Sequence, residues 1–245
     1  MIRMESVNKH YGHVHAVKDL SLHIRQGEVF GFIGPNGAGK TTTIRILGGL
    51  LIPTSGKIFI DGKDLAKEPE KAKKIIGFIP DRPFLYDKIT GMEFLRFMAD
   101  MYGVDDKIFP DKAHGLLKIF SLHEWGNELI ASYSHGMKQR IIMCAALLHE
   151  PKLIVVDEPM VGLDPRGIRL VKDLIRELAA KGTTVFLSTH TLEVAQDLCH
   201  RIGIINRGSL IALGNTSDLK KMAHVEEGEL EAVFLRLTQE QPEAA

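Results

Sequence analysis

The run Gly34-Pro35-Asn36-Gly37-Ala38-Gly39-Lys40-Thr41-Thr42 constrains this chain more than any other segment. It fits the pattern G-x-x-x-x-G-K-S/T without a mismatch. An apolar, strand-like stretch at residues 28–33 precedes it, and a helical pattern over residues 40–51 follows. The chemistry of a phosphate cradle explains these residue types. Glycines let backbone N–H groups converge on an anion with no Cβ in the way. A helix starting at Lys40 aims its positive end at the same point. Lys40 would reach the β- and γ-phosphates of a nucleotide, and the Thr41 hydroxyl would bind Mg²⁺. A glycine-rich turn with no ligand also fits the glycines, but the strand-before, helix-after context is the one the cradle requires.

A second constellation lies far along the chain. Leu153-Ile154-Val155-Val156 is a continuous apolar run that ends in Asp157-Glu158-Pro159. Such a run reads as a parallel strand buried on both faces. In open parallel sheets, ligands bind at the strand C-termini. Asp157 would then approach the metal held by Thr41, and Glu158 would orient or deprotonate a water beside the terminal phosphate. Two acids after a strand also suit an exposed acidic turn, and the pair gains its meaning from the cradle.

The rest of the chain alternates strands and helices, which argues for an α/β core with a parallel sheet. Leu20, Leu22 and Ile24 alternate with Ser21 and His23, as in a half-buried antiparallel strand. Strands are expected at residues 57–60, closed by the turn Asp61-Gly62, and at 75–79 and 183–187. A mostly helical block over residues 92–150, with breaks near Gly103, Pro110 and Gly126, reads as an insertion beginning near Pro83. Helices follow at 169–180 and 192–199, then a hairpin over 202–211 turning near Asn206-Arg207-Gly208. The polar end from Gln239 is expected to fray.

In this order, the segments resemble the nucleotide-binding subunit of ABC transporters over roughly residues 2–238. Gly34 to Thr42 resembles the Walker A loop, and Leu153 to Glu158 resembles Walker B with its catalytic glutamate. Ser134-His135-Gly136-Met137-Lys138-Gln139-Arg140 resembles the signature motif. Gly162-Leu163-Asp164-Pro165 is similar to the D-loop, and Ser188-Thr189-His190 to the switch-histidine segment. Tyr11 matches the aromatic that stacks on adenine, although a tyrosine at a strand end also fits simple packing. The resemblance implies a P-loop NTPase core with a parallel sheet, an antiparallel β subdomain and an inserted α-helical subdomain. It places the ATPase domain at residues 1–225, with the helical insertion at about 84–150 and a short C-terminal helix and tail at 226–245.

The implied function is ATP hydrolysis coupled to transport. Cofactors are ATP and Mg²⁺. Ser134, His135, Gly136 and Met137 would contact ATP held by a second subunit, so the ATPase works as a homodimer or heterodimer. Chemically, Ser134 offers a hydroxyl and Gly136 permits close approach at a helix N-terminus. A separate transmembrane permease would supply the channel, which places this subunit peripherally on the cytoplasmic face of the membrane.

The chain departs from the family pattern at two positions. Asp81 stands where the family usually has glutamine; a carboxylate still binds Mg²⁺ or its water but cannot donate a hydrogen bond when ionised. His135 stands where the signature usually has glycine, so its side chain must point away from the phosphate or contact it. These departures, together with Met137-Lys138-Gln139-Arg140, resemble the two-component bacterial exporter branch.

Composition supports that class. With 31 Lys+Arg against 31 Asp+Glu, the formal net charge is zero, so no nucleic-acid partner is expected. No apolar run approaches the ~20 residues that span a bilayer. Residues 1–17 carry charges throughout, with no apolar core of a signal peptide. The two cysteines, Cys144 and Cys199, read as buried free thiols. The rival class is a soluble ABC-type ATPase acting on ribosomes or DNA. Such relatives typically carry two cradles or long coiled coils, and this chain has one cradle and no heptad run.

Overall fold

A computed structural model of the 245-residue chain describes every residue except 83, 226–228 and 240–245. In chain order, the strands β1 (Ile2–Tyr11), β2 (Val14–Ile24) and β3 (Val29–Ile33) come first, then α1 (Lys40–Leu47). Strands β4 (Ser55–Ile60) and β5 (Lys63–Asp64), helix α2 (Pro69–Lys73) and strand β6 (Ile76–Ile79) follow. Helices α3 (Gly91–Tyr102), α4 (Phe109–Ile119) and α5 (His135–Leu147) come before β7 (Leu153–Asp157). The chain closes with α6 (Pro165–Ala180), β8 (Thr184–Thr189), α7 (Leu192–Leu198), β9 (Arg201–Asn206), β10 (Ser209–Gly214), α8 (Thr216–Met222) and α9 (Leu230–Gln239).

Two sheets form. One is antiparallel, in the order β2-β1-β4-β5. The other runs β10-β9-β3-β8-β7-β6 and is parallel apart from the β9–β10 hairpin. The expected α/β class with a parallel sheet and an antiparallel β unit is therefore what the chain builds. Every residue of β3, β7 and β8 is buried. Period-2 geometry divides their side chains between two cores. Ile154, Val156, Val185 and Leu187 pack with helices α3, α4 and α5, through Leu95, Leu117 and Ile141. Leu153, Val155 and Phe186 pack on the other face with Phe30, Phe32 and the antiparallel sheet. This is why residues 153–156 of β7 read as a continuous apolar run.

Several boundaries differ from the sequence expectations. Helix α1 ends at Leu47, not at residue 51, because Gly48 caps it and Gly49 takes a left-handed φ of 67°. Helix α6 begins at Pro165, ahead of the expected 169, because Asp164 accepts a hydrogen bond from Gly167 N (2.9 Å) as N-cap, with Pro165 in the first turn. Gln239 is the last residue of α9; the rest of the end expected to fray, residues 240–245, and Pro83 lie outside the described residues. Helices α2 and α8 were not foreseen, although α8 carries a full capping box between Asn215 and Asp218. Both cysteines are free thiols, and burial pushes Cys199 up to about 12 and Cys144 further still.

The helical block is fastened to the sheet at His149. Its Nε2 donates to Ile76 O (3.1 Å), its ring stacks on Tyr102 at 3.7 Å, and its Nδ1 is buried with no partner among the described residues. Burial lowers its pKa to about 4. In the unfolded chain the value returns to about 6.5. Protonation thus favours unfolding, and stability falls as pH drops from about 6.5 towards about 4. His149→Phe keeps the stack and removes that titration. Its urea midpoint should change less over this interval than that of the parent, and equal slopes would exonerate His149.

Candidate active site

The loop between β3 and α1 folds over its own lysine. Lys40 Nζ donates to Gly34 O (2.6 Å) and Pro35 O (3.1 Å), and Ala38 N closes a turn onto Pro35 O (3.2 Å). Burial lowers the Lys40 pKa, while the nearby Glu158 and Asp157 carboxylates oppose that shift. Gly39 is the N-cap of α1 at φ 107°, with no side-chain cap, and the first turn holds no acid. The amides there remain available to an external anion. Two glycines are dictated by space. A Cβ on Gly34 would lie 2.3 Å from Ile205 O, and one on Gly39 2.4 Å from Ala16 O.

Asn36, Gly37, Gly39, Lys40, Thr41 and Thr42 line a cleft of ≈ 580 Å³. Its other wall comes from β2 and the β9–β10 turn, including His15, Lys18 and Arg207. Sequence reasoning did not assign these three to the site. The turn at Asn206-Arg207-Gly208 was legible as a turn, but only tertiary pairing, Gly208 N to Ala38 O (2.9 Å) and Lys18 N to Gly208 O (2.8 Å), brings it to the cradle. Tyr11 does not line this cleft. It ends β1, is 46% exposed, and has the Lys9 ammonium 5.3 Å from its ring centroid.

The carboxylates meet the cradle at Thr41. Its Oγ1 donates over a long 3.4 Å to Oδ2 of Asp157, the last residue of β7. Burial pushes the Asp157 pKa up, and the negative charges of Glu158 and Asp81 push the same way. Asp81 itself is exposed, just beyond β6. A hydroxyl and carboxylates are hard oxygen donors, and crowded like charge at Asp157 is what a divalent cation relieves; these residues fit Mg²⁺.

Glu158 sits at φ 50°, a strained backbone for a residue with a Cβ. Its amide donates to Ser188 O (2.9 Å). Its Oε2 accepts from Thr189 Oγ1 (3.0 Å), and its Oε1 accepts from both His190 N (2.8 Å) and His190 Nδ1 (2.7 Å). The expected pair Glu158 and His190 therefore touch directly, with Nδ1 carrying the proton. The other imidazole nitrogen is left as an acceptor or as a second donor.

The remaining predicted residues lie apart. Ser134 is the N-cap of α5 and accepts from Met137 N (3.3 Å). Ser134, His135, Gly136 and Met137 do not line the cleft of their own chain. The His135 ring rests on Gly162. Asp164 serves as the α6 cap.

With this geometry in place, similarity to known proteins is decisive. The sequence pattern of the family described as ABC transporter matches residues 17–161. The chain belongs to the ABC transporter family. It is 40% identical over 219 residues to the linearmycin resistance ATP-binding protein LnrL of Bacillus subtilis (strain 168), covering 89% of this chain and 70% of that one. It is 39% identical over 222 residues to the bacitracin transport ATP-binding protein BcrA of Bacillus licheniformis, covering 90% and 72%. A solved ATP-binding subunit of an ABC transporter superposes with a TM-score of 0.92 at 33% identity, covering 97% of this chain and 99% of that one. The dimeric bacterial ABC transporter cassette MJ0796 gives 0.81 at 28% identity, covering 88% and 98%. This ABC cassette binds ATP and is an ATPase subunit of a transporter.

Gly39→Ala tests the cradle, because the new methyl meets Ala16 O and the φ of 107° strains any L-residue. The expected cost is about 2 kcal/mol or more, or about 4–8 °C in Tm, together with weakened ATP binding. Parent-like melting and ATP titration curves would refute the close fit.

Proposed function

We propose that this cassette drives export by closing a Mg²⁺- and ATP-dependent dimer against a separate transmembrane subunit. The observation that carries this reading is the split of the site. Lys40, Thr41, Asp157, Glu158 and His190 converge in one chain, while Ser134 to Met137 stand away from that chain's cleft. A second cassette, identical or related, would offer its own Ser134 hydroxyl and α5 N-terminus to the terminal phosphate. Resistance and transport are what the names of LnrL and BcrA describe, and the Asp81 and His135 departures agree with the exporter branch.

Each residue then has a task. The amides of Gly37, Gly39, Lys40, Thr41 and Thr42 hold the phosphate chain, and Lys40 neutralises it. Gly34, Pro35, Asn36 and Ala38 shape the loop. Thr41 and Asp157, with Asp81 beside them, would hold Mg²⁺, which supplies charge neutralisation of the phosphates when bound. Glu158 orients the attacking water and accepts its proton, and His190 holds the glutamate and faces the terminal phosphate. Tyr11 remains the adenine platform in this reading, reached by the ligand from the cleft mouth.

The chain divides into an ATPase domain over residues 1–225, a helical subdomain inserted at about 84–150, and a helix with tail over 226–245. Supporting this, α3, α4 and α5 all fall between β6 and β7. The membrane subunit would seat where the Asp81 loop meets the helical block. There Phe84 is 88% exposed, and Tyr86 packs edge-on against Phe97. Among the described residues, no helix is long and apolar enough to cross a membrane. The subunit would lie peripherally on the cytoplasmic face.

Glu158→Gln should bind ATP, lose about a hundredfold or more in turnover, and accumulate as an ATP-held dimer by size-exclusion chromatography. Undiminished turnover would remove the glutamate from the chemistry. Ser134→Arg should impair hydrolysis and dimer formation while dilute nucleotide titration stays at the parent value. Equal loss of both would refute a site shared between subunits.

A further inference from the structure

His135 replaces a residue usually lacking a side chain, and the structure shows where that side chain goes. A Cβ built on Gly162 would lie 2.2 Å from His135 Cδ2 and 2.7 Å from Nε2, so the imidazole lies against this glycine, with both residues still exposed. Gly162 holds a φ of 77°, which presents its bare Cα to the ring. The neighbouring Gly136 also approaches this segment: a Cβ there would meet Gly162 O at 3.0 Å. The α5 N-terminus and the segment after Walker B thus meet ring on backbone at His135 and backbone to backbone at Gly136.

That segment leads straight back to the chemistry. Val161 N donates to Glu158 O (3.2 Å), and Leu163 N donates to Met160 O (3.3 Å), making a turn between Glu158 and Gly162. Asp164 then anchors the far side as the α6 cap. In the other direction, His135 is covalently next to Ser134, whose own rotamer is fixed by capping Met137 N. A continuous set of short contacts therefore joins Ser134 to Glu158 through the His135–Gly162 packing. A glycine at position 135 would remove the imidazole that fills that contact.

We infer that His135 is a positioning residue that couples the two nucleotide sites of the dimer. Resting on the shared-site reading above, it ties the Ser134 segment, offered to the partner subunit's nucleotide, to the turn leaving Glu158, which serves its own. The action is steric: a flat ring on a bare Cα transmits displacement between two backbone segments. His135 touches no reacting atom in this role.

Amide NMR of the full chain and Mg-ATP turnover together test this. His135→Gly should shift the Gly162 and Leu163 amide signals and leave Gly37 in place; an unmoved Gly162 signal overturns the contact. In turnover, His135→Gly and Gly162→Ala should each lower kcat about fivefold with KM within about twofold, since neither binds nucleotide in its own cleft. The double variant should be no slower than Gly162→Ala alone, because both changes break one contact. A multiplicative loss overturns the coupling. His135→Phe retains a flat ring and should restore kcat to within about twofold of the parent; failure to do so overturns the steric account even if Gly162→Ala does not fold. An ineffective Ser134→Arg would remove the shared-site reading, whereas multiplicative His135 and Gly162 effects remove the coupling alone.

Discussion

The close approach of backbone to backbone around residues 34–39 is the constraint on which this molecule depends. Gly34 lies against the Ile205 carbonyl and Gly39 against that of Ala16, at separations that leave no room for a Cβ. Gly208 N bonds Ala38 O, and Gly208 O accepts from Lys18 N. The cradle is therefore wedged between β2, the β9–β10 turn and the start of α1. Its amides are preorganised by the surrounding fold, and the anion they receive does not have to order them. Shape and charge agree here, because the α1 N-terminus and Lys40 point into the same cleft.

Electrostatic tension is concentrated one layer away. Asp157 is buried and ends a strand whose neighbours are apolar, with Glu158 and Asp81 adding negative charge beside it. Lys40 is half-buried, and those carboxylates support its charge. Separated opposite charges at the rim of a sheet are costly alone, and nucleotide phosphate with a divalent cation completes their pairing. The left-handed backbone at Glu158 is a second local cost. It is held by the amide bond to Ser188 O and by three hydrogen bonds from Thr189 and His190 to the carboxylate. The strained residue is thus pinned where it can address a phosphate bound to Lys40.

The helical block adds a second level of organisation. Its apolar helices cover one face of the parallel sheet, and its N-terminal α5 segment faces outward with its amides and Ser134. In the proposed dimer, a single cassette would hold the donor half of one site and the acceptor half of another. The dimeric solved cassettes of similar fold show that such chains do associate in pairs. Contacts such as His149 to Ile76 and His135 to Gly162 matter because they link this block to the strands that carry the carboxylates.

Much of this was legible in the residues. Glycine spacing at 34–39 could be read because the loop's glycines and lysine stand in consecutive residues, although the carbonyls that exclude a Cβ at Gly34 and Gly39 belong to the distant Ile205 and Ala16; Asp157-Glu158 could be read because a strand end is a local event. Strand identity followed from a continuous apolar run in β7, an apolar stretch in β3 and a β-branched, apolar stretch in β8. Helix ends were less legible: Asp164 and Gly48 act through capping geometry that the apolar period does not encode. Only tertiary structure could decide that Arg207 and Lys18 wall the cleft, that Tyr11 stands outside its lining, and where the His135 ring rests. Those facts depend on segments distant in sequence meeting through strand pairing and turn packing, whereas the cradle, the buried strands and the two carboxylates are written in consecutive residues.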